Sequence, residues 1–357
     1  MKKKNKASGG LGQLLIPLIA ILLLVIFNLI RDPGFFSVSI AANNKGDPVL
    51  QGNLISILNG ASELAILSMG MTLVTAASGG QDISVGALAA IAGSVFVKVL
   101  KGGAVSGSAV IAAFLACCAV AMVFGAFNGS LVSFFRIQPM IATLILFTCG
   151  RSIAYWINGG ATPTIDSAIT NAIGSFIPGI PIPTPVIIVA VMALMFSLVF
   201  RFTTLELFTQ SVGINQSAAR LNGISPMAIK LLSFVILGVC VSVAGSIGVC
   251  RLGLINHETL LIDIEMDTIL AVEIGGNSLG GGKFRISGSI LGAYVIQMLT
   301  ITLYAMKVSS TDVKAYKAIV IILLVVIGSP VVKRWFSGLM NRRKTGGTPV
   351  AAVKEGA

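Results

Sequence analysis

The sequence predicts an all-α, polytopic membrane protein with about ten transmembrane helices, and three observations predict it. Hydrophobic residues make up 55% of the chain and charged residues only 11%. A water-facing surface needs about a quarter of residues charged. Mean hydropathy is +0.95. The apolar residues also gather in runs of about 20, enough to carry a helix through the hydrocarbon core.

The first run covers 14–30 and follows a basic segment, 1–13, with Lys2, Lys3, Lys4 and Lys6. It resembles a signal peptide, but Arg31-Asp32-Pro33-Gly34-Phe35-Phe36 closes it without a clean small-x-small cleavage site. It is expected to stay as the first helix. Later runs fall near 53–77, 84–100, 108–134, 138–157, 184–202, 227–249, 259–275, 286–306 and 315–336. Asp263, Glu265, Asp267 and Glu273 interrupt the run at 259–275, which is expected to be broken or re-entrant. The transmembrane domain is thus 14–336. Residues 337–357 are polar and aperiodic, the composition of a disordered tail.

Loop charge gives the expected orientation. With both termini in the cytoplasm, basic residues favour the inner side by about two to one, as the positive-inside rule asks. The inner set includes Arg136, Arg201, Arg220, Lys230, Lys283 and Arg285 besides both ends. This clustering explains the net charge of +12 without nucleic acid. The five cysteines, Cys117, Cys118, Cys149, Cys240 and Cys250, lie in or beside apolar runs with no CxxC pair. They read as small buried hydrophobes rather than metal ligands or a disulfide framework.

Two connections exceed a turn. An outer loop at 158–183 is rich in Gly, Thr, Ile and Pro, with Pro178, Pro181, Pro183 and Pro185 stiffening its end. An inner loop at 203–226 has helical grammar. Asn215 can cap a short helix Gln216–Asn222, Gly223 suits the position after its end, and Ser225-Pro226 can start the next span.

The glycine-rich stretch Gly275 to Lys283 invites a phosphate-loop reading. That reading fails, because Asn277 stands where glycine is required and Phe284 follows the lysine. Tight turning between close helices accounts for it better. Gly125-x-x-x-Gly129 and Gly288-x-x-x-Gly292 are expected to serve internal helix packing. His257, the sole histidine, is expected in a solvated outer loop. It supports no catalytic triad, so an enzyme is not expected.

Ionisable groups at membrane depth carry more information, since an unpaired charge there costs at least about 2.5–3.5 kcal/mol. They are Glu63, Asp82, Arg151, Asp267 and Glu273, with Glu265 nearer the outer face. Asn59, Asn128, Gln138 and Thr143 add uncharged donors and acceptors. Either these residues pair with one another and cap broken helices, or they line a polar path that hydrogen-bonds hydroxyls. No cluster has metal-ligand spacing.

Several stretches are similar to one family. Gly70-Met71-Thr72-Leu73-Val74 with Gly79-Gly80-Gln81-Asp82-Ile83-Ser84-Val85-Gly86 resembles the "GMTLVI…GGIDLSVG" signature of ribose/xylose/galactose-type ABC permeases. Asn128-Gly129 and Ile137-Gln138-Pro139-x-Ile141-Ala142-Thr143-Leu144 resemble its "NG…IxPFIATLG" stretch. Val212-Gly213-Ile214-Asn215 through Ala218-Ala219 to Gly223-Ile224 is similar to its "GxNxxAAxxAGI" loop. Glu265-Met266-Asp267 and the glycines from Gly275 to Gly282 resemble "ELDAIAAVVIGGTSLxGG". The matches run in order from about 53 to 330. Gln138, Leu144-Ile145-Leu146, Gly150-Arg151 and Leu270 look closest to the galactofuranose permease branch. Departures from the pattern are Gln81, Glu63, Glu273 and the polar segment Asn43–Pro48.

The resemblance implies a type II, vitamin-B12-importer-like fold and the permease role in a bacterial sugar importer of the cytoplasmic membrane. It implies a second permease subunit, identical or not, an extracellular or periplasmic sugar-binding protein, and a cytoplasmic ATPase that binds the ATP. The permease itself would need no cofactor. Gly213, Asn215, Ala218, Ala219, Arg220 and Gly223 would receive the ATPase motion. Asn59, Asp82, Asn128, Gln138, Thr143, Arg151, Glu265, Asp267 and Glu273 would support the substrate path. An ion-coupled secondary transporter is the rival reading, with the carboxylates as proton or sodium relays.

Overall fold

A computed structural model describes residues 8–42, 48–101 and 105–328. The tail at 337–357 and most of the basic segment lie outside the described residues. The chain begins with α1 (Ser8–Arg31), then a two-stranded antiparallel hairpin of β1 (Ser39–Ala42) and β2 (Pro48–Gln51), with Ile40 opposite Leu50. Next come α2 (Asn53–Gly60), α3 (Ser62–Ser78), α4 (Val85–Leu100), α5 (Gly107–Ser133) and α6 (Pro139–Ile157). After these follow α7 (Ala168–Gly174), α8 (Thr184–Phe202), α9 (Leu205–Ile214), α10 (Gln216–Leu221) and α11 (Pro226–Leu252). The last elements are α12 (Ile264–Ile274), α13 (Ile286–Ala305) and α14 (Ser310–Gly328).

Among the described residues, seven helices are long and apolar enough to cross a membrane, with α2 and α3 counted as one span. The shorter α4 is also apolar. The expected interruption at 259–275 is real: α12 begins only at Ile264, after a turn through 259–263. Leu261 and Asp263 adopt left-handed backbone (φ 46° and 61°) just before it, which stops a helix from running through. Asp312, Lys314 and Lys317 occupy the early turns of α14.

Burial sorts the helices. In α3 every residue from Ser62 to Ala77 is buried, and α11 packs against α3, α4 and α5. By contrast α1, α5, α6 and α8 keep large apolar side chains outward, among them Leu22, Ile111, Ile141 and Leu194. Exposed apolar surface on that scale fits a lipid solvent. Both glycine pairs pack internally. A side chain at Gly125 would meet the Phe234 carbonyl of α11, and one at Gly292 would meet the Ala271 carbonyl of α12.

The loops collect at two ends. One end carries 79–84, 134–138, α9, α10 and the glycine-rich stretch, and is called here the elbow end. The other carries the β-hairpin, α7 and 253–263, and is the hairpin end. There the amide of Leu50 donates to Pro181 O and that of Ile165 to Gly253 O.

Three expectations need correction. The loop 203–226 holds two helices: α9 escaped notice because no side chain caps it, and burial of Thr209 and Val212 makes it instead. The loop 158–183 holds α7, whose Ser167 cap exchanges hydrogen bonds with Thr170. Of the five cysteines, Cys149 is exposed and Cys118 half-buried, because their helices turn those faces outward.

Candidate functional site

At the elbow end, α3 stops at Ser78 because Gly79 takes left-handed backbone (φ 67°). The chain turns through Gly80, whose missing side chain leaves room for the Pro139 ring of α6. Asp82, only 1% exposed, then folds over the start of α4. Its carboxylate accepts from Ser84 N at 2.7 Å and Ser84 Oγ at 2.6 Å. Asn128 Nδ2 of α5 donates to Ser84 Oγ at 2.9 Å and reaches the other Asp82 oxygen at 3.4 Å. Thr143 Oγ1 of α6 accepts from Ile83 N at 3.2 Å. Asp82, Asn128 and Thr143 are therefore brought together, inside the subunit, where they hold one turn to three helices. Gln138 lies apart, exposed at the cap of α6.

The hairpin end is organised by ion pairs. Glu63 Oε1 of α3 lies 3.0 Å from Arg251 Nη1 of α11, and Arg251 Nη2 donates to both oxygens of Asn59, at 2.8 Å and 3.0 Å. Arg151 Nη1 of α6 donates to the carbonyls of His257, Glu258 and Leu260, at 2.8, 3.1 and 3.2 Å. Arg151 thereby holds the turn that precedes α12. His257 is drawn in by Tyr155, whose ring meets it edge-on at 5.0 Å. Glu265 is 3% exposed and its Oε2 has no hydrogen-bond partner among the described residues. Only the glycine at 86 admits it, because a Cβ there would stand 2.3 Å from that oxygen. Asp267 pairs with Lys317 at 2.7 Å and Asp263 pairs with Lys314, so two charge pairs strap α14 to α12. Glu273 is half-buried on α12, with no ion pair among the described residues.

The elbow itself is built from caps and one very close approach. Asn215 Oδ1 accepts from Ser217 N and Ala218 N, both at 3.0 Å, and starts α10. Gly223 (φ 77°) lies just beyond its end, and Ser225 Oγ caps α11 by accepting from Ala228 N. Gly213 rests on the end of α3: a Cβ would fall 1.8 Å from Ala76 O and 2.5 Å from Gly282 N. Ala218 and Arg220 are exposed. Ala219, expected with Ala218 to receive the ATPase motion, is only 3% exposed and packs with Ala77, Val212 and Ile229. The outward apolar groups are instead Ile214, 74% exposed, and Leu221, 90% exposed.

Comparison with known proteins bears on this arrangement. A model of the branched-chain amino acid transport system / permease component family matches residues 53–328. The chain belongs to that permease family. It is also similar to the galactofuranose transporter permease protein of Escherichia coli, with 34% identity over 96% of both chains. The fructose import permease protein of Bifidobacterium longum is 32% identical, over 96% of this chain and 97% of its own. The ribose import permease protein of Escherichia coli is 35% identical, over 87% of this chain and 92% of its own. No solved structure matches.

Sequence reasoning overlooked four groups that organise this permease: Ser84, Arg251, Lys314 and Lys317. Ser84 had a signal, since in Asp-x-Ser the carboxylate can accept from the backbone amide two residues on, an Asx turn. Arg251, Lys314 and Lys317 each lie across from a carboxylate on a neighbouring helix or at its start. Charge balance along neighbouring spans would have found them. Leu221 and Ile214 carried no signal in the sequence, because only the packed elbow decides which apolar groups remain outside.

Proposed function

We propose that this permease is the membrane-spanning subunit of a bacterial ATP-binding-cassette importer for a monosaccharide of the galactofuranose, fructose, ribose, xylose or galactose type. One observation carries the reading: relatives spanning nearly the whole chain are permeases named for galactofuranose, fructose and ribose. The family description mentions branched-chain amino acids, but the full-length relatives favour a polyhydroxylated solute. ATP is bound by a separate cytoplasmic ATPase, sugar arrives on an extracellular or periplasmic binding protein, and a second permease subunit completes the pathway. The chain itself uses no cofactor. Both termini are cytoplasmic, and α4, α12 and α14 complete ten spans of a type II, vitamin-B12-importer-like fold.

In this reading the elbow receives the ATPase. Leu221, Ile214 and Arg220 project outward from it, while Gly213 is seated against the α3 terminus. Motion of α9 would thus reach the Gly79–Asp82 turn through backbone contact. Asp82, Asn128 and Thr143 act as positioning groups for that turn. Gln138, Arg151, Glu265, Asp267, Glu273 and Asn59 remain candidates to support the sugar path. Two of the carboxylates that the ion-coupled alternative would use as relays, Glu63 and Asp267, already have cationic partners.

The test is reconstitution of the chain with a candidate sugar-importer ATPase and sugar-binding protein, followed by uptake of labelled sugars. ATP-dependent accumulation of one of these monosaccharides is expected. Accumulation that persists without the ATPase, driven by an ion gradient, would overturn the importer reading. Uptake of leucine in place of sugars would overturn the solute class.

A further inference from the structure

A cavity of about 510 Å³ opens at the elbow end between the last turns of α8, the start of α9 and the first turn of α13. Its wall carries Arg201 from α8, Arg285 at the cap of α13, Glu206 from α9 and the hydroxyl of Ser287. Phe200 and Ile290 supply an apolar floor. Neither arginine forms a salt bridge with another described residue. Glu206 is occupied in part, as it accepts a hydrogen bond from Gln210 Nε2 at 3.1 Å. The wall therefore presents two guanidinium forks against one carboxylate, a surplus that suits a monoanionic phosphodiester. The amides of Ile286 and Ser287, in the first turn of α13, have no acceptor within their own helix.

Position narrows the source of that phosphodiester. Arg201 sits in the last turn of α8, and Leu194 and Leu198 lie on the same helical face by their spacing, both exposed. This face meets lipid in a span of 19 residues. A ligand here has its charge at the end of the span and an apolar body beside it. Free phosphate satisfies the arginines but has no use for Phe200, Ile290 or the leucines.

We propose that this cavity holds the headgroup of an anionic phospholipid, gripped by Arg201 and Arg285, with its acyl chains along the Leu194 and Leu198 face of α8. Such a lipid joins α8 and α9 to α13 at the bilayer surface, on the side where anionic headgroups draw basic residues. The inference goes beyond the importer reading and holds whichever solute is carried.

Purified full-length chain is placed in nanodiscs holding equimolar phosphatidylglycerol, phosphatidylethanolamine and phosphatidylcholine. The lipid that stays bound after gentle extraction is then counted by native mass spectrometry. Wild type is expected to keep one phosphatidylglycerol in preference to the other two. The Arg201→Gln, Arg285→Gln double variant should lose that preference by about tenfold or more, with a circular-dichroism spectrum like wild type. Arg201→Lys with Arg285→Lys keeps the charge without the forks and should fall between them. Millimolar inorganic phosphate should leave the bound lipid in place. The proposal is overturned if wild type shows no phosphatidylglycerol preference, or prefers phosphatidylethanolamine through Glu206. It is also overturned if the glutamine variant retains the lipid as wild type does, or if inorganic phosphate strips it.

Discussion

The two ends of the bundle solve the same problem in opposite ways. Each must keep carboxylates at membrane depth, where an unpaired charge is expensive. The elbow end surrounds Asp82 with neutral donors, Ser84 and Asn128, all inside one subunit. The hairpin end joins carboxylates to cations on other helices: Glu63 to Arg251, Asp267 to Lys317, Asp263 to Lys314. A network of short neutral hydrogen bonds sets a backbone turn and tolerates little rearrangement. Ion pairs between helices can be broken and remade as the helices shift, at modest cost where they are exposed. The difference teaches that the elbow end fixes a backbone turn through short neutral hydrogen bonds, while the hairpin end ties α12 to α14 through charge pairs.

The largest expected effect comes from disturbing the elbow end. Gly213→Ala forces a Cβ to within 1.8 Å of Ala76 O, a backbone atom that cannot rotate away. Displacement of α9 should destabilise the fold by about 3 kcal/mol or more and uncouple ATP hydrolysis from transport. Thermal unfolding together with sugar-stimulated ATPase activity reads both effects. A variant with wild-type values in both assays would show that the elbow end does not depend on Gly213.

Next is Arg251→Met, which strands the buried Glu63 carboxylate and should cost roughly 3 kcal/mol. Adding Glu63→Gln should restore most of the loss, because both charges are then gone. If the double variant unfolds no later than the single one, the hairpin end is not held by a separable pair.

Asp82→Ala leaves Ser84 N and Ser84 Oγ without their acceptor, at a cost of about 2 kcal/mol. Asp82→Asn keeps an acceptor oxygen and should recover more than half of it. A thermal shift equal for the two would mean that charge, not hydrogen bonding, holds the turn.

The smallest effect belongs to Lys314→Met. Its pair with Asp263 is exposed, so stability should change by less than about 1 kcal/mol. Spin labels on α12 and α14 should nonetheless show a wider spread of distances. No change in that distribution would show that the Asp263 pair does not hold α14, which then rests on the Asp267–Lys317 pair and apolar packing.

Much of this was legible before any coordinates. Seven of the ten expected spans, the interruption ahead of α12 and the Asn215 and Gly223 caps follow from runs of apolar residues and from local backbone chemistry, which act over a few residues. Asp82, Asn128 and Thr143 were singled out as polar groups in apolar runs, but their union was not foreseeable. They belong to three separate stretches, and only packing of α5 and α6 around the α3–α4 turn brings them together. The same limit hides the burial of Ala219, which depends on Ala77, Val212 and Ile229.

By itself, the sequence determined that this chain is a polytopic membrane protein, where most of its long apolar helices lie, and which transporter family it resembles. Those properties depend on solvation of each segment and on hydrogen bonds between near neighbours along the chain. The tertiary structure alone decided which carboxylate meets which cation, that Gly213 sits on the end of α3, and that Leu221 stays outside. Each of these contacts joins residues far apart in sequence, and the close packing of helices selects them.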